Sequence, residues 1–292
     1  MENVQLIKGQ PYMVKHTGGI KAVRRIYRGE ETGVCDIKRF VFSAKVKKGV
    51  FAEVEEVTVL NSITVDSGIF GVMGKAVKFI SKDGLRPAMT CVCLDFENYK
   101  CEVVATDAHR LYLSPKFEGS EKSRVQVLLT EQTAKIKPYS ELTEISILDN
   151  DRIMVNGEIY GTIDARFPDY RCVMPDYKMD MQFEVKPFIA NVKKVLPYAN
   201  KWTEQVNLHL NGSISLHTQD VDFSFECNAD MPYITKNFPD TDIAFNGKFL
   251  IESLGIFKEK TIQFKTDGLR TQAGIFTNNT DTVLIMPLML NN

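Results

Sequence analysis

Residues 103–111 of the chain read VVATDAHRL, an apolar strand pattern that breaks at a polar, basic corner. Two further segments are equally unusual. Residues 161–171 read GTIDARFPDYR, and residues 283–290 read VLIMPLML, which is almost wholly apolar. We expect an apolar stretch of that kind to pair in a sheet or to line a docking groove, because a free segment would expose it to water.

The composition places the chain among ordinary globular proteins. Its 292 residues are 44% hydrophobic and 25% charged, which argues against disorder, collagen and coiled coil. Since 36 Lys and Arg residues balance 37 Asp and Glu residues, the net charge of −1 does not suit a strongly electrostatic nucleic-acid binder. No apolar run reaches the ~18–20 residues that span a bilayer, and residues 1–5 lack a signal-peptide layout, so we expect a cytoplasmic protein.

Residue types that carry chemistry are not grouped in the sequence. None of the six cysteines forms a CxxC pair, so the sequence predicts reduced core thiols rather than a zinc or thioredoxin-like site. His209 and His217 lie on the two arms of a hairpin predicted at Asn211-Gly212, where we expect exposed strand residues rather than a metal site. Residues 68–76, GIFGVMGKA, lack phosphate-loop spacing. We therefore predict no enzyme, no cofactor, no metal and no catalytic residue.

The order of strand and helix patterns predicts three regions. Residues 1–62 carry short strands between turn signals and predict a small all-β module, in which 11 Lys and Arg residues outnumber 7 Asp and Glu residues. Residues 63–180 and 181–292 share one order of helix, strands, helix and strands, which predicts an α+β fold with two similar units in tandem. The predicted helices cover residues 69–81, 131–137, 187–197 and 248–254, and Asp66 or Ser67 is the expected cap of the first.

Two of the predicted helices carry basic residues away from their apolar stripe. Lys75, Lys78 and Lys82 recur at three to four residues around the first helix, and Lys193 and Lys194 lie on the third. A solvated helix face is the ordinary interpretation of such residues, and contact with a nucleic acid is the functional alternative.

The three unusual segments resemble the signatures of one family, the bacterial sliding clamp, which is the beta subunit of DNA polymerase III. Its signatures read ATDGHRL, FPDYRR and VMPMRL, and residues 105–111, 167–172 and 285–290 are similar to them in order and spacing. Residues 84–89 and 245–249 resemble two further parts of the family. The resemblance covers residues 64–292, and residues 1–62 do not match.

The resemblance implies tandem clamp-like domains, each with two helices packed on antiparallel sheets, and a role in DNA replication. Clamp domains form a ring around duplex DNA, with helices that line the hole and contact phosphates without reading bases. Such a processivity factor is an oligomer and is not an enzyme. The DNA-binding residues that the resemblance implies are Lys75, Lys78, Lys82, Lys193 and Lys194.

The second implied site is a groove between the two units, which takes short linear motifs of DNA polymerase and clamp-loader subunits. An apolar floor with a polar rim suits an extended peptide with Leu or Phe anchors. In the alternative interpretation, residues 285–288 are only the core of an edge strand. The implied peptide-binding residues are Arg86, Met89, Thr106, Ala108, His109, Arg110, Leu111, Pro168, Val173, Asn246, Phe249, Leu284, Ile285, Met286, Pro287 and Leu288.

Departures from the family pattern leave several hypotheses open. Cys172 and Met289 stand where the family often has Arg, so we expect a different peptide selectivity. Only 62 residues precede the first matching unit, too few for a clamp domain, so the usual two-subunit ring is not expected. The hypotheses are a six-unit ring of three copies, another assembly in which residues 1–62 replace the missing interface, and a non-ring adaptor or decoy that binds such peptides. An enzyme such as a nuclease is the weakest alternative, because no metal-carboxylate cluster is visible.

Overall fold

The computed structural model describes residues 11–16, 22–32, 38–42, 51–55, 58–137, 141–149, 151–156, 158–220, 222–269 and 271–289, with the backbone alone before residue 58. The last residue of the apolar segment, Leu290, lies outside this part of the chain.

The first half of the chain is built almost wholly of strands, with one α-helix, α1 (Ile69–Ala76), after the fifth. The described strands are β1 (Pro11–His16), β2 (Ala22–Thr32), β3 (Lys38–Phe42), β4 (Phe51–Glu55), β5 (Val59–Asp66), β6 (Val92–Glu97), β7 (Lys100–Thr106), β8 (Arg110–Leu113), β9 (Phe117–Glu118), β10 (Val125–Leu129), β11 (Leu142–Leu148), β12 (Arg152–Val155) and β13 (Glu158–Gly161).

The second half adds two helices, α2 (Val185–Val195) and α3 (Gly247–Leu254). Its strands are β14 (Met179–Glu184), β15 (Gln205–Asn211), β16 (Ser213–Asp220), β17 (Phe225–Met231), β18 (Thr235–Lys236), β19 (Thr241–Asn246), β20 (Thr261–Thr266), β21 (Gly274–Thr277) and β22 (Thr282–Ile285). The predicted Asn211-Gly212 hairpin is confirmed, since Asn211 pairs with Ser213 around Gly212, whose φ of 66° favours glycine.

The first sheet takes strands from both sides of the boundary predicted at residues 62/63. Its order is β4-β1-β2-β13-β12-β11-β5, and β3 pairs with β2. Strand β5 itself runs across the boundary, and Val23 of β2 pairs with Glu158 of β13. The backbone is therefore hydrogen-bonded without a break between these regions, and the division into three domains stays a prediction.

The second sheet joins the two tandem units. Its order is β10-β6-β7-β8-β22-β21-β20-β14-β18, with β9 paired to β7. Strand β8 of the first unit pairs antiparallel with β22 of the second, with Leu111 opposite Leu284 and Arg110 opposite Ile285. The apolar segment at 283–290 thus contributes its first residues to a sheet, as its composition predicted.

The helices pack in a row on one side of these sheets. Helix α3 contacts α2 on one flank and the 3₁₀ turn that follows α1 (Val77–Phe79) on the other. A third sheet, β17-β16-β15-β19, is covered by α2. Apolar side chains of helices and strands form one continuous core, in which Met73, Phe188 and Leu250 are fully buried. The α+β fold class is confirmed.

Several helix boundaries differ from the predicted ones. The first helix ends at Ala76 and continues as the 3₁₀ turn, and residues 131–137 form only one 3₁₀ turn, Thr133–Lys135. A segment of seven residues forms too few intrahelical hydrogen bonds to offset the free-energy cost of nucleating a helix. In its described residues the first unit therefore holds one α-helix, whereas the second holds two.

The capping prediction for α1 was wrong. Its N-cap residue is Gly68, which carries no side chain. The Asp66 carboxylate accepts a hydrogen bond from the Gly68 amide at 2.6 Å, and the Ser67 hydroxyl lies 2.6 Å from the Thr143 hydroxyl. Both candidate caps are thus engaged before the helix begins.

A buried carboxylate fastens α1 to the second unit. Asp281, in the turn before β22, accepts hydrogen bonds from the Tyr112 hydroxyl and from the Lys75 ammonium group, both at 2.5 Å. Asp281 is nearly inaccessible to solvent, so both partners are needed to satisfy it. Lys75 is consequently held by its ion pair and is not a free surface cation.

Candidate functional site

The polar corner singled out in the sequence is a compact turn between β7 and β8. The Asp107 carboxylate accepts hydrogen bonds from the amides of His109 and Arg110, and the Thr106 hydroxyl accepts one from Ala108. Short polar side chains that bind neighbouring amides in this way stabilise turns. Ala108 has a φ of 74°, a left-handed conformation that costs a residue with a Cβ about 1 kcal/mol. Glycine stands there in the clamp signature.

Arg110 is buried at the junction of the two units. Its guanidinium binds Asp107 at 3.0 Å and Glu252 of α3 at 2.8 Å. The same group lies 4.4 Å from the Phe249 ring centroid and 5.4 Å from that of Phe79, which are cation–π distances. Because its side chain is only 6% exposed, Arg110 ties the units together and is not available to a ligand.

The face of the second sheet that points away from the helices carries its own apolar cluster. Strand alternation turns Cys93, Val104 and Leu111 to this face, where Cys91 and Leu284 join them. Burial raises the pKa of Cys91 to about 12, so its thiol stays protonated and behaves as a small apolar group. We call this group of residues the floor cluster.

A segment of irregular chain, residues 162–174, lies over one side of the floor cluster. Phe167 and Tyr170 pack into the cluster. Arg171 binds Glu97 at 2.6 Å, and the Tyr170 hydroxyl donates to Glu102 at 3.2 Å. These contacts fix residues 167–171, the FPDYR segment, in place as a wall beside the floor cluster.

The chain after β22 forms the opposite boundary. The Met286 amide donates to the His109 carbonyl at 2.9 Å, and the Leu288 amide donates to the Ala244 carbonyl at 2.7 Å. The segment therefore crosses from the first unit to the second. Met286 remains half-exposed beside the floor cluster.

The predicted peptide residues fall into two groups. The buried ones are Thr106, Arg110, Leu111, Leu284 and Ile285. They support the site from inside the protein. Leu284 belongs to the floor cluster, whereas Ile285 faces the opposite side of the sheet. Those with exposed surface are Arg86, Met89, Ala108, His109, Pro168, Val173, Asn246, Phe249, Met286, Pro287 and Leu288. We call the second group the junction surface. Its Asn246 also caps α3 by accepting a hydrogen bond from the Phe249 amide at 3.1 Å.

Two exposed apolar residues beside the junction surface are absent from the predicted peptide-binding residues, although Met289 is a departure from the family pattern. Leu85 precedes Arg86 in the loop before β6, and Met289 follows Leu288. Leu85 is 91% exposed and Met289 is 77% exposed. The only available signal was an apolar residue in an otherwise polar loop for Leu85, and membership of the terminal motif for Met289.

The predicted DNA-binding lysines are not equivalent. Lys78, Lys82, Lys193 and Lys194 are exposed on the helical side of the molecule, whereas Lys75 is held by Asp281. Lys186, which the prediction omitted, is also exposed two turns before Lys193 on α2. Its spacing of seven residues from Lys193 was the signal that could have found it.

Other classes of site are sparse in the part of the chain that the structure describes. It holds no group of three or more His, Cys, Asp or Glu residues placed to bind a metal. None of its helices has the length and apolar character that crossing a membrane requires.

Solved structures of bacterial sliding clamps share this architecture. The sliding clamp (DNA polymerase III subunit beta) of Pseudomonas aeruginosa bound to griselimycin aligns with a TM-score of 0.72 and 16% identity, over 92% of this chain and 77% of that one. The beta subunit of Thermotoga maritima gives 0.71 and 18%, over 95% and 76%. The sliding clamp of Bacillus subtilis gives 0.70 and 17%, over 92% and 75%. No family sequence model and no curated protein matches the chain.

The chain therefore has the sliding-clamp fold, as the resemblance of three short segments predicted. The structural likeness extends over 92 to 95% of the chain, so it reaches into residues 1–62, where the sequence motifs had no counterpart. At sequence identities of 16 to 18%, the structural similarity establishes a shared fold and nothing beyond it.

Replacing Arg110 by Lys should weaken the junction between the units. Lysine lacks the planar fork that binds two carboxylates while stacking on aromatic rings, so we expect a loss of about 1–3 kcal/mol. Urea unfolding measures the effect, with Arg166→Lys, an exposed position outside the junction, as the control. Equal stability of the two variants would contradict the role assigned to Arg110.

Proposed function

We propose that the chain is a sliding-clamp-like processivity factor, which encircles duplex DNA as an oligomer and binds linear peptide motifs of polymerase and clamp-loader subunits. The observation that carries the proposal is the pairing of β8 with β22, which makes one sheet of two units. One face of that sheet carries the basic helical side, and the other carries the floor cluster, beside which Met89, Val173 and Met286 have exposed surface. One molecule thus offers two faces suited to two partners.

The helical side suits the phosphates of a duplex without sequence preference. Its exposed lysines come from both units: Lys78 from the 3₁₀ turn after α1, Lys82 from the loop that follows, and Lys186, Lys193 and Lys194 from α2. Lysines without base-reading partners supply contacts that position DNA and do not specify its sequence. A ring holds DNA by its topology, so a few such contacts agree with the net charge of −1.

The junction surface suits an extended peptide with apolar anchors. Ala88 and Met174 pack against the floor cluster, and their neighbours Met89 and Val173 have exposed surface at its edge. Met286 adds an exposed side chain from the second unit. An apolar surface between two rigid units is a common place for peptide recognition.

Replacing Met286 and Val173 together by Asp should weaken peptide binding at least tenfold. Each is about half exposed, so charge there removes anchor contacts without entering the core. Leu284 is unsuitable for this test because it is buried in β22. Fluorescence anisotropy with a synthetic peptide carrying Leu and Phe anchors measures the affinity. Leu60→Asp with Leu269→Asp is the matched control, and equal affinities in the two variants would exclude this surface.

The third sheet offers a surface for a second copy of the chain. In the described residues, its edge strand β17 pairs with β16 alone. Beside this edge Phe223 stacks on Phe225 with ring centroids 6.2 Å apart, and Tyr198 and Trp202 add exposed aromatic surface. We call these four residues the aromatic patch. An unpaired edge with exposed aromatic residues is typical of an interface between chains.

Charge complementarity indicates which region of the second copy would contact this edge. Asp222, Glu226 and Asp230 make the edge acidic. Residues 1–62 carry 11 Lys and Arg residues against 7 Asp and Glu residues, the opposite sign. A head-to-tail contact between the two regions is complementary in charge, and repeating it closes a ring or extends a filament.

Replacing Trp202 and Phe223 together by Ser should reduce self-association. Light scattering over a concentration series should give an oligomer for the unaltered chain and a mass near 33.1 kDa for the variant. Leu85→Ser with Met289→Ser removes similar exposed apolar surface elsewhere and should keep the oligomer. An unaltered chain that remains a monomer would oppose the ring and favour an adaptor that binds such peptides.

Replacing Lys78, Lys193 and Lys194 together by Glu should shorten retention on nicked circular DNA several-fold, because it reverses three cations on the helical side. Lys75 is left out because its loss would leave Asp281 unpaired. The control reverses Lys122, Lys178 and Lys258, which are exposed outside the helices. Retention that is equal in both variants would exclude a DNA channel on this side.

A further inference from the structure

A cleft between the two units combines two lysines of the helical side, Lys78 and Lys82, with residues of the junction surface. It has a volume of about 1120 Å³ and lies between the loop that follows α1 and helix α3. Lys78, Lys82 and Arg86 line one side, and Glu252 and Ile251 of α3 line the other. His109 reaches into the cleft from the β7–β8 corner and stacks on Phe249, with ring centroids 5.8 Å apart.

Three of the four carboxylates that line the cleft bind a basic side chain. Asp107 and Glu252 bind Arg110, and Glu131 binds Lys135 at 2.6 Å. Asp83 accepts a hydrogen bond only from a backbone amide, that of Leu85. Because Arg110 carries a single positive charge and is shared by two carboxylates, two negative charges of the lining remain uncompensated, one of them on Asp83.

The three basic residues that line one side of the cleft, in contrast, have no direct ion-pair partner in the part of the chain that the structure describes. Within the described residues, the side chains of Lys78, Lys82 and Arg86 make no hydrogen bond and no direct ion pair. All three are exposed. These three cations face two uncompensated negative charges, which leaves the cleft a small excess of positive charge that a concave site strengthens.

The cleft adjoins the junction surface. Arg86 and His109 belong to both, and the His109 carbonyl accepts the hydrogen bond from Met286 that bounds the junction surface. A chain that leaves the junction surface past His109 reaches the three cations directly. Duplex DNA, in contrast, is a convex rod whose phosphates touch only the rim of a concave cleft.

We propose that the cleft receives acidic side chains that flank the apolar anchors of a peptide bound at the junction surface. The proposal rests on the proposed function and adds a specificity-determining subsite, with Lys78 and Lys82 as its main cations beyond the junction surface. Preferred partners then carry Asp or Glu on one flank of the anchor motif. Since the cleft lies on one side of the junction surface, only one flank gains affinity.

The test uses the full chain and three synthetic peptides with the same Leu and Phe anchors. One carries three Asp residues before the anchors, one carries them after, and one carries Asn on both flanks. We expect the acidic flank to improve affinity about fivefold at one end only, in keeping with exposed ion pairs. Lys78→Gln with Lys82→Gln should remove this gain while the Asn peptide keeps its affinity, because neither lysine belongs to the junction surface. Lys122→Gln with Lys178→Gln is the control and should keep the gain.

The outcomes separate this subsite from the function on which it rests. Failure of all three peptides to bind would contradict the proposed peptide site itself. Binding with equal affinity, or an equal gain at both ends, would overturn the subsite, because long-range attraction does not distinguish the flanks. A flank effect that survives the double substitution, while retention on DNA falls, would assign these cations to duplex phosphates instead.

Discussion

The antiparallel pairing of Arg110–Leu113 with Thr282–Ile285 is the contact on which the rest of the molecule depends. It joins strands that are far apart in the sequence, so forming it costs more loop-closure entropy than any local hairpin. Two buried groups at its ends offset this cost. Arg110 of the first unit binds Glu252 of the second unit. Asp281 of the second unit accepts hydrogen bonds from Tyr112 and Lys75 of the first. Each unit thus supplies a charged group that binds a partner in the other. The junction surface and the cleft exist only because this pairing holds the units in one register.

The features that sequence reasoning predicted well are local ones or are carried by rare motifs. The apolar pattern that begins at residue 103 lies in strand β7 and ends at the polar corner, and Asn211-Gly212 forms the expected turn. The clamp fold followed from three short segments in the right order. Each of these depends on neighbouring residues or on a pattern too specific to arise by chance.

What could not be predicted depends on contacts between distant residues. Lys75 looks like Lys78 in the sequence, and only the position of Asp281 commits it to an ion pair. Leu284 and Met286 share one apolar motif, yet one lies in the floor cluster and the other is half-exposed, because β22 ends between them. The change of pattern at residues 62/63, where a boundary is predicted, carries no signal that β5 continues across it and pairs with β11. In each case the decisive contact is tertiary and has no local sequence signal.

The two sides of the junction are held by different forces. Backbone hydrogen bonds of β8 and β22 tie the sheet side, whereas side-chain ion pairs from Arg110 and Lys75 tie the helical side. Arg110 is 6% exposed and Asp281 is buried, so salt screens these ion pairs far less than it screens pairs at the surface. Both sides of the junction should therefore keep their strength as the ionic strength rises. High salt should weaken contacts of the exposed lysines with phosphates before it loosens the two units.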